Sequence, residues 1–294
     1  MIETLQGDNL LKLQSLPSKL YSVALIDPPY CNSPVTGSYW EKDKQWRDEQ
    51  WSSISEWIKW FRPRIELITE KLSTNCTVII FERTRNLLSL RSLLSKLKLK
   101  FSCELSIYWK VQGNRFTRNH KTITPIHETA WILKRGRPYF KKGTGTKSVI
   151  EAVGSYRRKH PGQKPRHAIK QLLNCYTDKN SWVLDPFGGS GVTAVATQSL
   201  QANCTIIEKY SDRYQQMISN LSQSKDRDLK SLILELSERH SNKTVCNLLG
   251  VSKAYVSQVN SIHKLKPLQK IRTQLEETDP NHLPISKYRR KNFA

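Results

Sequence analysis

Asp27-Pro28-Pro29-Tyr30 packs a carboxylate, a stiff turn and an aromatic face into four residues. The apolar run Val23-Ala24-Leu25-Ile26 precedes it and reads as a buried parallel strand, so the carboxylate is delivered at a strand's carboxyl end. In an open α/β sheet that edge forms the ligand crevice. Two consecutive prolines fix φ and remove two backbone donors, which leaves the turn's carbonyls to accept hydrogen bonds from elsewhere. Carboxylate, carbonyl and ring together suit a planar group bearing an amine, such as a nucleobase.

A second chemical stretch lies far downstream. The short strand Trp182-Val183-Leu184 runs into Asp185-Pro186-Phe187-Gly188-Gly189-Ser190-Gly191, and a helix over Ala194 to Leu200 follows. Strand, glycine-rich turn and helix bring backbone N–H groups close to a cofactor. The next strand, Thr205-Ile206-Ile207, ends at Glu208, an acid placed to accept hydrogen bonds from a ribose. No Walker lysine occurs in the turn, which disfavours nucleoside triphosphates.

The elements between these stretches alternate strand and helix, an α/β pattern. Leu5 ends a candidate first strand, and Leu10, Leu11, Leu13 and Leu16 mark a short helix stopped by Pro17. Asp8 between them either points into the crevice or caps that helix. Residues 31–50 read as a long loop beside the site; Trp40 and Trp46 within it could stack on a base or pack on the domain. Trp57, Trp60 and Phe61 share one helix face and are assigned to the core. Further strands are expected over Cys76 to Phe81, Ser102 to Val111 and Thr129 to Lys134, and helices over Leu87 to Leu99 and from Pro165 through Leu173.

The 294 residues carry 48 Lys and Arg against 25 Asp and Glu, a formal charge of +23 that favours a polyanionic partner. The excess is concentrated: between Leu105 and Thr177 the only acids are Glu128 and Glu151, against sixteen Lys and Arg. Within that block, Arg115, Arg118 and Lys121 interleave with Phe116 and His120 as a nucleic-acid-contacting loop needs. Lys141, Lys142, Arg157 and Arg158 belong to an irregular, phosphate-facing segment over residues 135–160. The six cysteines stand singly, without metal-ligand or redox spacing, and are expected to be buried thiols in a reducing compartment; no metal is expected. Without a signal-peptide pattern or a membrane-spanning apolar run, the expected location is cytoplasmic.

Asp27-Pro28-Pro29-Tyr30 together with Phe187-Gly188-Gly189-Ser190-Gly191 resembles the S-adenosylmethionine-dependent amino-methyltransferases of DNA. The tetrapeptide precedes the glycine motif, an order similar to the family's circularly permuted β class. His160-Pro161-Gly162-Gln163-Lys164-Pro165 resembles the motif upstream of the cofactor turn, and Leu5-Gln6-Gly7-Asp8 the amino-terminal signature, so the likeness covers roughly Ile2 to Leu221. It implies a Rossmann-like class I methyltransferase sheet in permuted motif order. Asp27 and the Pro28 carbonyl would accept hydrogen bonds from the target amine, with Pro29 stiffening the turn and Tyr30 stacking on a flipped base. Phe187, Gly189, Ser190 and Gly191 would surround S-adenosylmethionine, with Asp185 near its ammonium, Glu208 on its ribose and Asp8 facing its adenine. Lys164 would contact the methionine carboxylate or fix its loop. An aspartate rather than a serine before Pro-Pro-Tyr favours N6-adenine over N4-cytosine.

The segment open to target recognition, about Arg137 to Lys159, is short for this family, and a further module is expected. Residues 1–225 would form the catalytic domain, with a target-contacting segment at about 111–160. Residues 226–266 read as a helix over Leu229 to His240 followed by a helix-turn-helix, with Val245, Leu248, Leu249, Val251, Val256 and Val259 inside. Lys253, Tyr255, Gln258 and His263 would face a groove; a dimerisation module is the other role open to these helices. Residues 267–294 form a basic tail. The implied partner is DNA, with a cognate restriction endonuclease and a second copy of the chain as further candidates and no membrane. A DNA-binding regulator with a vestigial catalytic fold is the non-enzymatic alternative.

Overall fold

The computed structural model describes residues 1–31, 51–110, 127–141, 147–153, 163–237, 241–249 and 252–261. The chain divides into two compact units, Met1–Ser222 and Gln223–Ala294.

The first unit is built on an eight-stranded sheet in the order β1-β8-β7-β2-β3-β5-β4-β6. The strands are β1 (Ile2–Gln6), β2 (Tyr21–Ile26), β3 (Leu72–Phe81), β4 (Lys100–Lys110), β5 (His127–Arg135), β6 (Val149–Val153), β7 (Trp182–Asp185) and β8 (Asn203–Glu208). All run the same way except β5, which pairs antiparallel with both β3 and β4. The helices are α1 (Asn9–Ser15), α2 (Ile54–Lys71), α3 (Thr84–Lys96), α4 (Arg166–Tyr176), α5 (Val192–Ser199), α6 (Ser211–Ser237) and α7 (Asn242–Leu249). The division between the units falls within α6.

Continuous apolar strands are explained by helices on both faces. Ala24 and Ile26 join one cluster with Leu13 of α1, Trp57, Phe61 and Ile65 of α2, and Leu87 and Leu90 of α3. Val23 and Leu25 point the other way, to Ala168 and Leu172 of α4, Ala194 of α5, and Met217 of α6. The alternation follows from the two-residue period of a strand, so β2 lies in the middle layer of three.

Two expectations are corrected. Residues 149–153 form strand β6 rather than irregular chain: they pair parallel with Ser106–Lys110, and Ile150 is buried while Val149 stays exposed. A five-residue strand between basic segments is too short to show a period. Cys103 is an exposed thiol, because β6 covers only the second half of β4. Among the described residues, no helix is long and apolar enough to cross a membrane.

In the second unit, Ile233 of α6 packs with Val245 of α7 and with Val256 and Val259 of a helix over 253–261. Ser241 and Ser252 cap the latter two helices: their hydroxyls accept hydrogen bonds from the backbone N–H groups of Thr244 and Tyr255. The helix through 233 begins already at Ser211 rather than near 229. Leu248, Leu249 and Val251 lie outside what is described of side chains.

Candidate active site

The sheet reverses its winding between β2 and β7. From β2 the chain crosses through α2 to β3 on one side, and from β7 through α5 to β8 on the other, so a crevice opens beyond the carboxyl ends of these neighbours. Asp27 leaves β2 there and Asp185 ends β7, with Ala24 opposite Leu184 in the pairing. Two stretches more than 150 residues apart are thus brought to one edge.

Four groups hold the tetrapeptide turn. The indole N–H of the buried Trp57 donates to the Pro29 carbonyl at 2.8 Å. That bond uses one of the carbonyls the prolines had left without local donors. Just beyond Tyr30, the Cys31 N–H donates to the Glu82 carboxylate at 3.1 Å, and the Asn86 amide donates to the Cys31 carbonyl at 3.4 Å. Lys164 Nζ donates to Asp27 Oδ1 and Oδ2 at 2.7 and 2.8 Å, and the Tyr30 hydroxyl donates to Oδ1 at 3.2 Å.

The electrostatics of this cluster are set by burial. It pushes the Asp27 carboxyl above the ordinary carboxylate range, against the pull of Lys164, and the nearby Glu128 adds to the rise. The Tyr30 hydroxyl is held well above its usual range by burial and by the Asp27 charge, so it remains a neutral donor. Burial works against the Lys164 ammonium, yet Asp27, Tyr30 and Glu128 together keep it far above a lysine's ordinary value. Burial also raises the Glu82 carboxyl to about 7, although hydrogen bonds from Arg83, Cys31 and Asn86 oppose the shift.

The glycine turn is fixed by backbone donors on buried acids. Asp185 accepts from the Phe187 N–H at 2.9 Å. Glu208 takes the Gly189 N–H at 2.6 Å on one oxygen and the Tyr210 N–H at 2.9 Å on the other. Burial raises Asp185 to about 7; the bonds from Thr193 and Phe187 oppose this, and the charges of Asp27 and Glu208 reinforce it. Gly191 starts α5 at φ +79°, where a Cβ would lie 2.5 Å from Met217 Cγ, so both backbone and packing require glycine. Gly189 also has positive φ, but a Cβ there would meet nothing nearer than the Phe187 carbonyl at 4.0 Å. The turn therefore presents an open face at Gly189.

Beside that face, the Trp60 and Phe187 rings stand 6.0 Å apart, with the Arg64 guanidinium 4.2 Å from the Trp60 centroid. Asn9 ties the amino-terminal helix to the turn: its amide donates to the Pro186 carbonyl at 3.0 Å and its oxygen accepts from Arg64 Nε at 2.9 Å. Asp8 caps α1 by accepting from the Leu10 N–H at 2.8 Å and lies 3.5 Å from Arg64. Buried carboxylates, an open backbone cradle and an aromatic pair form a donor and acceptor set that fits a nucleoside carrying an amino-acid group.

Asp27, Pro28, Pro29, Tyr30, Asp185, Phe187, Gly189, Gly191 and Glu208 are brought together at this edge. Ser190 is buried in the turn, where its carbonyl accepts from Asn220. Lys164 sits on Asp27 and Glu128 instead of on the glycine turn. Lys141 is exposed and donates to Asn174 at 3.1 Å. Lys253 and Gln258 are exposed in the second unit, and Tyr255 is half-buried against its core. Arg115, Arg118, Lys121, Lys142, Arg157, Arg158, His263, Trp40 and Trp46 lie outside the described residues. Sequence reasoning missed Glu82, Asn86 and Asn9 as supports of the two turns, because single polar residues beside helix starts carry no period or spacing. A signal existed for Glu128, an acid isolated in a basic block.

Comparison with known proteins agrees with this geometry. The family model for N6/N4 methyltransferases, described as DNA methylase, matches residues 21–219. The chain is 26% identical over 219 residues to the type II methyltransferase M2.DpnII of Streptococcus pneumoniae, covering 66% of this chain and 80% of the relative. It is 25% identical over 219 residues to the type II methyltransferase M2.LlaDCHI of Lactococcus lactis subsp. cremoris, covering 66% and 79%. The solved M1.HpyAVI–SAM complex superposes with a TM-score of 0.56 at 21% identity, covering 75% of this chain and all of that one (100%). The PvuII DNA methyltransferase (cytosine-N4-specific) superposes with a TM-score of 0.58 at 12% identity, covering 88% and 90%. The sheet is thus that of the class I methyltransferases. With more than half its length matched, the chain belongs to the DNA methylase family, the S-adenosylmethionine-dependent amino-methyltransferases of DNA.

Proposed function

We propose that this protein methylates the exocyclic N6 amine of an adenine flipped out of DNA. The observation that carries the reading is the meeting of the Asp27 turn and the open glycine turn at one switch point. The choice of adenine rests on the aspartate that opens the tetrapeptide.

An exocyclic amine is a poor nucleophile because its lone pair is delocalised into the ring, and inside a duplex it is out of reach. Extrusion of the base solves the second problem. Asp27 and the Pro28 carbonyl solve the first by accepting hydrogen bonds from the two amine N–H groups, which shifts the nitrogen toward sp³ character. With the Pro29 carbonyl engaged by Trp57, the Pro28 carbonyl is the acceptor left for the substrate. The Tyr30 ring stacks on the base. Bound S-adenosylmethionine supplies a methyl group already activated on a sulfonium, so the protein's task is largely positioning. Asp185, Phe187, Gly189, Ser190, Gly191 and Glu208 hold it, and Asp8 borders its adenine. Asp27 need not be a strong base, because methylation itself acidifies the amine before the proton leaves.

The basic segment and the exposed Lys253 and Gln258 of the second unit supply contacts to DNA phosphates and grooves. Incubation with unmethylated DNA and labelled cofactor, followed by hydrolysis to nucleosides, tests the assignment. N6-methyladenine is the expected product. N4-methylcytosine would transfer the same geometry to the other base, and no incorporation would leave a DNA-binding regulator.

A further inference from the structure

Lys164 is a buried cation shared between two carboxylates. Its side chain is 8% exposed, and its Nζ lies 2.7 Å and 2.8 Å from the Asp27 oxygens and 2.9 Å from Glu128 Oε2. Two of the ammonium's three N–H donors serve the Asp27 oxygens, and Glu128 Oε2 stands beside it as a close ion-pair partner. The rings of Tyr30 and Phe81 flank it at 5.2 Å and 5.1 Å. The fold explains how Glu128 arrives: β5 is the antiparallel strand, so its first residues reach the edge where the parallel strands end, and Phe81 pairs with Ala130.

This arrangement conflicts with an Asp27 that receives a base. Both of its oxygens face the ammonium, and Oδ1 also accepts from Tyr30. An incoming amine must take over one of these positions. Lys164 cannot simply be left unpaired, because a buried charge stripped of its partner is strongly unfavourable. Glu128, already in contact, offers a place for it.

We propose that Glu128, acting through Lys164, is a positioning residue for methyl transfer: it is the second carboxylate onto which Lys164 shifts its hydrogen bonds when the target amine engages Asp27. The proposal rests on the reading of Asp27 as the amine's acceptor. It gives a purpose to one of the two acids in a block of sixteen cations. In the absence of DNA, the ammonium opposes the effect of burial on Asp27 and holds its carboxyl in place; when the base enters, the pair exchanges partners without exposing a charge.

The test uses the full chain, duplex DNA and labelled cofactor, and compares wild type with Glu128→Gln, Lys164→Met and the double variant. Glu128→Gln keeps the shape and one acceptor oxygen but removes the charge that must receive the ammonium. Its kcat should fall about tenfold, with the cofactor KM within about twofold of wild type. Asp27 is faced by Lys164, Tyr30 and Glu128 and is coupled to Asp185 on β7. Lys164→Met leaves only the Tyr30 hydrogen bond to oppose burial and Glu128 at Asp27, so the acid limb of its pH–rate profile should move to higher pH. In the Lys164→Met background, adding Glu128→Gln should lower kcat by less than about twofold, since the second residue acts through the first. Wild-type kcat in Glu128→Gln, or losses that multiply in the double variant, would overturn the proposal alone. A wild-type chain that transfers no methyl would overturn it together with the reading of Asp27.

Discussion

At the scale of single residues, the site rests on a carboxylate held where it would not otherwise be comfortable. Asp27 is partly buried, raised by that burial, and kept usable by Lys164. Asp27→Ala should abolish methyl transfer while DNA binding in a gel shift remains; transfer above about a hundredth of wild type would sink its role. Glu82 and Asp185 are acids that burial raises from the ordinary carboxylate range to about 7 in the folded protein. The folded state therefore binds their protons more tightly than the unfolded chain does. Their contribution to stability is greatest below the unfolded values and is lost as pH rises to about 7. Thermal melts of the ligand-free protein should show part of a decline between about pH 4 and 7 that Glu82→Gln reduces; an unchanged slope would refute the assignment. The tetrapeptide and the glycine turn were legible as chemistry because their residue types are unusual together. Lys164 on Asp27 was not, since 137 residues separate them.

At the scale of elements, what matters is how stiffly each turn is held. The glycine turn hangs on Glu208 and Asp185 and hands the chain to α5 through a left-handed Gly191. Gly191→Ala places a Cβ against Met217 and in an unfavourable backbone region. It should cost about 1–3 kcal/mol in denaturant melts and weaken cofactor binding in calorimetry. Stability equal to wild type would show that the turn can relax. The strands beside the site were readable because burial on both faces makes them uninterrupted apolar runs: Val23 to Ile26 and Cys76 to Phe81 lie within β2 and β3. β6 was not readable, because its partner β4, and not its own pattern, makes it a strand. Asp8 had two open roles by sequence, and its bond to the Leu10 N–H shows it serving as a cap.

At the scale of the whole molecule, a charge of +23 on 294 residues matches a polyanionic substrate. DNA affinity should fall steeply with salt, linearly on a log–log plot whose slope reports the phosphates engaged. A truncation after Asp226 removes the cluster of Ile233, Val245, Val256 and Val259. Cofactor binding should survive, while DNA affinity drops at least about tenfold and the salt slope becomes shallower. Unchanged affinity and slope would remove the second unit from recognition.

By itself, the sequence determined the chemistry on offer and the order in which it is strung. Asp27-Pro28-Pro29-Tyr30 follows one apolar strand, Asp185 to Gly191 follows another, Glu208 ends a third, and basic residues fill the stretch between. Such features are local, set by neighbours in the chain through period, turn geometry and residue type. Tertiary structure decided which of them meet. The reversal of winding between β2 and β7 put Asp27 beside the glycine turn, the antiparallel course of β5 carried Glu128 to the same edge, and Lys164 reached both carboxylates. Those contacts join residues tens to hundreds of positions apart, and only strand order and direction, fixed by packing on both faces of the sheet, could select them.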